Sequence, residues 1–165
     1  MRNIILCITA AVILLSVNYA VWSHEQLAAN GRTVFLELAP VDPRSLMQGD
    51  YMALRFKLET DAIASQDSTR FKGGRMVIAV DPQGIGSFRR FDTGGKAASD
   101  EVFLRYRNHN GRPQFATNSF FFQERQGDMY RTAKYGEFKV SSDGRVMLTA
   151  LRGPNLEELG PKTGR

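Results

Sequence analysis

Hydrophobic and polar residues alternate with a period of two after Gly49-Asp50. The apolar positions of this stretch are Met52, Leu54, Phe56 and Leu58. A period of two with aromatic content is typical of a β-strand that is buried on one face. The pattern therefore predicts a half-buried strand from Tyr51 to Leu58. A turn at Gly49-Asp50 would lead into it, because Gly allows unusual backbone angles and Asp bonds nearby amides.

The same period, interrupted by turn residues, predicts further strands along the chain. They cover 33–39, 75–80, 85–91, 101–107, 112–116, 119–124, 138–140 and 146–151, with turns at 81–84, 108–111 and 142–144. The strand at 119–124 would be buried on both faces if all three Phe meet apolar neighbours. Short helices are predicted at 61–66, capped by Thr60 or Asp61, and at 128–135. This order of elements predicts an all-β fold, an antiparallel β-sandwich or a partly closed barrel with one or two short helices.

An uncharged apolar segment, Ile4–Trp22, precedes these strands. As a helix it would be roughly 28 Å long, close to the thickness of a bilayer's hydrocarbon core. Tyr19 and Trp22 stand at its end, where interfacial aromatic residues belong. Residues 1–22 are therefore predicted to be a transmembrane anchor or an uncleaved signal.

A cleaved signal peptide is the competing interpretation, with Arg2 as its charged region. Cleavage after Ala20 would put Asn18 where a small residue is preferred, which disfavours it. Either interpretation exports the rest of the chain. Arg2 and the terminal amine favour a cytoplasmic N-terminus, so we expect a single-pass protein of the inner membrane with its β-domain in the periplasm.

The predicted division of the chain follows from these elements. Residues 23–32 would form a juxtamembrane helix or linker with Gly31 as its C-cap, 33–152 the β-domain, and 153–165 a flexible tail rich in Gly, Pro and charge.

Composition and charge narrow the possible partners. The chain has 165 residues and a net charge of +5, but its basic residues are scattered singly or in pairs. This predicts a mildly basic solvated surface, or a domain that rests near anionic headgroups, and no nucleic-acid partner. Cys7 lies in the apolar segment, and His24 and His109 are far apart in sequence. We therefore expect neither a metal site nor a cofactor.

The stretch Gly49–Phe56 resembles the motif that names the GDYXXLXY family. The motif positions are Gly49, Asp50, Tyr51, Leu54 and Phe56, the last standing where the name has Tyr. The N-terminal apolar segment, the loop 39–44 and the segments 122–124 and 135–138 are also similar to that family's pattern. The resemblance implies a bacterial, membrane-anchored protein of uncharacterised function, often encoded beside a polytopic membrane protein. It supplies no catalytic residues.

Known catalytic patterns are not met. The segment before Gly49 is similar to the Gly-Asp stretch of signal peptidases, but Val41 stands at the position of their nucleophilic Ser. Asp42, Asp50 and Glu124 could act as acid–base groups only if the fold brings them together, and nothing in the sequence does so. No glycine pair has the context of a phosphate loop. We therefore predict no catalytic residues.

The sequence thus favours a non-enzymatic binding module that works with a polytopic membrane protein. Its predicted binding residues are Asp42, Arg44, Asp50 and Tyr51, polar and aromatic side chains of a loop held by strands. The alternative role of these four residues is simply to build the turn. The alternative function is an envelope hydrolase or transferase, which would require a concave site where ionisable side chains converge.

Overall fold

Strands are the main regular secondary structure of the described chain after residue 31. The computed structural model describes residues 2–39, 47–48, 51–65, 73–109, 112–117, 119–123 and 126–161. Within these ranges the helices are α1 (Arg2–Asn30), α2 (Lys57–Ala64) and a 3₁₀ helix (Gly127–Tyr130). The strands are β1 (Arg32–Glu37), β2 (Met47–Gln48), β3 (Tyr51–Ala53), β4 (Gly74–Val80), β5 (Ile85–Phe91), β6 (Glu101–His109), β7 (Arg112–Gln114), β8 (Ser119–Phe121), β9 (Tyr135–Val140) and β10 (Val146–Arg152).

The strands form two sheets. The larger is a curled half-barrel of seven strands in the order β10-β9-β1-β5-β4-β6-β7, and the smaller has the order β2-β3-β8. The prediction of an all-β, partly closed barrel with short helices and an N-terminal apolar helix is confirmed. One pair, β1 and β5, is parallel, with Phe35 opposite Ile85. A parallel pair needs a long crossover, and the connection between these strands contains β2, β3, α2 and β4.

One apolar core joins both sheets to α2. Its buried members include Val34, Leu36, Met52, Leu54, Phe56, Leu58, Ala62, Met76, Ile78, Leu104 and Phe138. These residues come from β1, β3, β4, β6, β9, α2 and the short connection between β3 and α2, so the core joins segments that are far apart in sequence. Burial of this apolar surface is the main stabilising contribution to the fold.

The stretch that follows Tyr51 departs from its prediction. All four apolar positions are buried, but the strand ends at Ala53 and only Phe56 makes a further bridge, to Leu38. The predicted strand to Leu58 is therefore wrong in extent. Leu58 lies in α2, where it shares the core face with Ala62, four residues later. The i, i+4 spacing of a helix and the alternation of a strand both fit Leu58.

Both predicted helices need correction. The helix predicted at 61–66 begins at Lys57, with Phe56 at the N-cap in extended conformation and no side-chain cap, so Thr60 and Asp61 are not its caps. Packing of Leu58 and Ala62 replaces the missing cap as the stabilising factor. The helix predicted at 128–135 is only the 3₁₀ turn Gly127–Tyr130. Tyr135 instead begins β9, because it pairs with strands on both sides.

The predicted hairpins are observed where the chain is described. β4 and β5 pair antiparallel, and β9 and β10 pair across 142–144, where Gly144 has a positive φ of 88°. β6 and β7 pair up to His109 opposite Arg112, while the Asn110-Gly111 turn itself lies outside the described residues. The strand predicted at 119–124 is shorter, and its Phe121 is exposed, so this strand is not buried on both faces.

Helix α1 continues without interruption from the apolar segment to the β-domain. The part Asn3–Asn30 is long and apolar enough to cross a membrane, and none of its apolar window is buried. Residues 23–30 extend the helix, and Leu27 is buried against the domain. At Gly31 an added Cβ would lie 2.5 Å from the Leu27 carbonyl oxygen and 2.9 Å from the Cβ of Lys139, so only glycine fits there.

The segment after β10 turns back and contacts that strand at Glu158 and Leu159. Gly153 donates its N–H to the Glu157 carbonyl at 2.9 Å, and Leu159 donates to the Leu151 carbonyl at 3.1 Å. The mobility of residues 153–165 stays a prediction.

Candidate functional site

Only part of the predicted binding loop can be placed. Asp42, Arg44 and Asp50, together with the motif residue Gly49, lie outside the described residues. Their binding role stays a prediction. Tyr51 is described, half-buried on β3. Tyr51 is therefore the one predicted binding residue whose surroundings the structure describes.

Tyr51 forms an aromatic pair with a residue that the sequence did not suggest. β3 and β8 are antiparallel, with Tyr51 opposite Phe121, and the two ring centroids are 5.9 Å apart. Phe121 is 74% exposed. Cross-strand aromatic neighbours stabilise a small sheet modestly, yet a large exposed ring also presents apolar area to a partner. We call these two residues the Tyr51–Phe121 pair.

The neighbouring residues of both strands face the core and fix this pair. Met52 lies opposite Phe120 and is buried. Phe120 packs edge-on against the Tyr130 ring at 5.1 Å, and Phe122 stacks on the same ring at 5.5 Å. Burial raises the pKa of the Tyr130 hydroxyl. Because side chains alternate along a strand, inward packing of Phe120 and Phe122 leaves Phe121 pointing outward.

The other half of the motif is structural. Leu54 and Phe56 are buried, and the Phe56 ring lies 5.1 Å from that of Phe115 and 5.3 Å from that of Phe138. Gly136 leaves room for this cluster, since a Cβ there would lie 2.9 Å from the Phe138 ring. The motif thus joins a half-buried aromatic residue, Tyr51, to the buried residues Leu54 and Phe56 within one short segment.

The buried carboxylate of Glu101 serves to join strands. Its side chain is only 4% exposed and accepts two hydrogen bonds from Arg90, at 2.5 and 3.2 Å, and one from the Ala98 N–H at 3.0 Å. The Arg90 bonds, then the Ala98 N–H, lower the pKa of Glu101 to about 2. A carboxylate that is so well paired is a weak base, so it suits a link between β5 and β6 better than proton transfer.

A cleft of about 570 Å³ lies beside the end of α1. Such a cleft is where ionisable side chains would converge in a hydrolase or transferase. Its ionisable lining is Arg32, Glu101 and Arg145, and it also contains Ser141. The Ser141 hydroxyl contacts the Asp143 carboxylate and accepts the Arg145 N–H at 3.0 Å, as turn residues do. No group of three His, Cys, Asp or Glu able to hold a metal occurs among the residues that the structure describes. The hydrolase or transferase alternative stays a prediction.

Glu59 in the first turn of α2 is a carboxyl group whose pKa is raised by burial. Desolvation raises its pKa from 4.5 to about 7, although Arg55 and Arg112 act in the opposite direction. Between these values the folded protein binds more protons than the unfolded chain. Its free energy of unfolding therefore falls as the pH rises from about 4.5 to about 7.

Replacing Glu59 with Gln is expected to remove this decrease of the free energy of unfolding with rising pH. At pH 8 we expect the free energy of unfolding of Glu59→Gln to be about 1–2 kcal/mol higher than that of the wild type. The difference is kept to this size because the carboxyl group is partly exposed and screened by solvent. At pH 5 the two proteins should be nearly equal, which serves as the internal control. Urea denaturation of the detergent-solubilised chain at both pH values measures this. If the two proteins differ in free energy of unfolding by the same amount at pH 5 and at pH 8, ionisation of Glu59 is not the cause of the difference.

The chain was compared with known proteins. A family model described as GDYXXLXY protein matches residues 13–151, a range that includes the stretch Gly49–Phe56 and β1 to β9. Comparisons with curated proteins and with solved structures gave no match.

Proposed function

The chain belongs to the GDYXXLXY family, and from this premise we propose that it is a membrane-anchored binding module. One helix holds the β-domain at the periplasmic face of the inner membrane. The domain binds a polytopic protein of the same membrane and catalyses no reaction.

The observation that carries this proposal is the unburied apolar helix α1. Its side chains from Ile4 to Trp22 are exposed along the helix, including Leu15 and Trp22. So large an apolar surface is unfavourable in water, whereas a bilayer covers it. The Tyr19 and Trp22 rings, 6.1 Å apart, lie at the level where aromatic residues meet the headgroups. Arg2 at the other end favours a cytoplasmic N-terminus.

The Tyr51–Phe121 pair is the surface that we assign to the partner. Exposed aromatic side chains held by a rigid scaffold are the usual centres of binding energy in protein interfaces. Phe121 adds little to the core, so its exposure on β8 calls for another explanation. A polytopic partner agrees with the family resemblance and would be held in the same membrane by its own helices.

Crosslinking in native membranes tests the proposal. Tagged full-length chain is crosslinked, washed with alkaline carbonate and purified, and copurifying proteins are identified by mass spectrometry. We expect a polytopic protein with the wild type and its loss, by tenfold or more, with Phe121→Ala. Ile63→Ala is the matched control, because Ile63 is also an exposed apolar residue but lies on α2.

The outcomes separate the parts of the proposal. Equal recovery of the partner with Phe121→Ala would exclude the aromatic pair as the binding surface. Recovery of the wild-type chain in the carbonate-soluble fraction would exclude the anchor. The mass of the mature N-terminus distinguishes an anchor from a cleaved signal peptide.

A further inference from the structure

A second cleft, of about 660 Å³, lies where the end of α1 meets the β-domain. Its walls come from α1 (His24), β6 (Arg105 and Arg107) and the start of β10 with the turn before it (Arg145). No Asp or Glu occurs among the described residues that line it. Three arginines from two distant parts of the chain therefore line one concave surface, and such a concentration of positive charge raises the local concentration of anions.

The nearest carboxylate does not balance these charges. Asp143 lies 3.0 Å from Nη2 of Arg105 and 3.2 Å from Nε of Arg145, so one carboxylate serves two guanidinium groups. Arg107 follows Arg105 by two residues on β6 and therefore projects from the same face of the strand. Among the residues that the structure describes, Arg107 has no ion pair. Within the described part of the chain, the cleft thus carries more positive than negative charge.

The cleft is fixed directly to the helix. Nη1 of Arg145 donates to the Ser23 hydroxyl at 2.5 Å, and Leu27 is buried between α1 and the domain. His24 follows Trp22 by two residues, a rise of about 3 Å along a helix. With α1 in the bilayer and Trp22 at its interface, as proposed, the part of the cleft lined by His24 would lie near the level of the lipid phosphates.

We propose that this cleft binds the headgroup phosphate of an anionic phospholipid from the surrounding leaflet. The inference rests on the proposed anchoring of α1. Guanidinium groups bind phosphate oxygens through paired, charge-assisted hydrogen bonds. Val146, half-buried in the same wall, offers apolar contact to the glycerol region. A free phosphate would satisfy the Arg side chains but would not use this contact or the position next to the bilayer.

Titration of the full-length chain in non-ionic detergent tests the site, with native mass spectrometry as the readout. The probes are dioctanoyl phosphatidylglycerol, dioctanoyl phosphatidylcholine and inorganic phosphate. We expect the phosphatidylglycerol to bind most tightly. Arg107→Gln should weaken its binding about fivefold, the effect of one basic residue near an anionic surface. Arg107→Lys, which keeps the charge but loses the planar fork, should lie between Arg107→Gln and the wild type.

Arg131→Gln is the matched control, because Arg131 is an exposed residue outside the cleft whose ion pair is to Asp128. It should bind the lipid as the wild type does. Equal weakening in Arg107→Gln and Arg131→Gln would overturn the proposal in favour of general surface charge. Inorganic phosphate that binds as tightly as the lipid would overturn the choice of a lipid. Should Arg107→Gln not fold, Arg107→Lys decides: weaker binding than the wild type supports the cleft, and equal binding overturns it.

The two experiments distinguish an incorrect lipid-binding cleft from an incorrect membrane anchor. The detergent titration does not depend on where the cell places α1, whereas carbonate extraction does. A carbonate-resistant chain whose lipid affinity is unchanged by Arg107→Gln excludes the cleft alone. A wild-type chain recovered in the carbonate-soluble fraction excludes the anchor.

Discussion

Replacement of Phe56 by Ala is expected to lower the free energy of unfolding by about 3–5 kcal/mol. The Phe56 side chain is 1% exposed and touches the rings of Phe115 and Phe138. These neighbours belong to the loop after β7 and to β9, and Phe56 itself precedes α2. The Ala variant therefore loses apolar burial and leaves a cavity at a point where several segments meet.

Urea denaturation followed by intrinsic fluorescence measures this loss. Phe121→Ala is the matched control, since it removes the same ring from an exposed position and should change the free energy by no more than about 0.5 kcal/mol. Similar losses in the two variants would contradict the assignment of Phe56 to the buried core and of Phe121 to an exposed surface. The same control variant is expected to lose the partner, so stability and binding are separated by one pair of proteins.

Replacement of Ile13 by Arg is expected to release much of the protein from the membrane. Ile13 lies in the middle of the apolar segment and is exposed on α1. An Arg near the centre of a membrane-spanning helix costs about 2.5–3.5 kcal/mol in insertion free energy. That cost corresponds to a change on the order of a hundredfold in the insertion equilibrium. The carbonate-resistant fraction of the tagged chain is the quantity to measure.

Ile63→Arg is the control for this experiment, because Ile63 is an exposed residue of α2 and the substitution adds the same charge to the β-domain. It should leave the membrane-bound fraction unchanged. If both variants remain in the membrane as the wild type does, α1 does not depend on the bilayer to cover its apolar surface.

The alternation of residues predicted which side chains are buried better than it predicted where elements end. Met52, Leu54, Phe56 and Leu58 are all in the core, as a strand would place them. The chain nevertheless becomes helical at Lys57, because Leu58 reaches the same core from the first turn of α2. The alternation of apolar and polar residues indicates which side chains are buried. The choice between helix and strand here depends on packing against distant residues.

Pairings between distant segments lay beyond the sequence pattern. The parallel contact of β1 with β5 has no local signature, and Tyr51 was a predicted binding residue whereas its neighbour Phe121 was not. The run Phe120–Phe122 could have predicted an outward-facing Phe, because three consecutive side chains on a strand cannot all face one core. The cationic cleft was also missed, because Arg105 and Arg107 meet Arg145 only after folding.

Because α1 runs into the β-domain without a flexible linker, the helix and the domain are expected to move together. Gly31 is held against Leu27 and Lys139, and Arg145 is bonded to Ser23, so no slack chain separates the helix from the domain. A few degrees of tilt or rotation of α1 must therefore swing the whole domain. If α1 spans the membrane beside a polytopic partner, as proposed, a change of shape in that partner would reorient the Tyr51–Phe121 pair by turning this one helix.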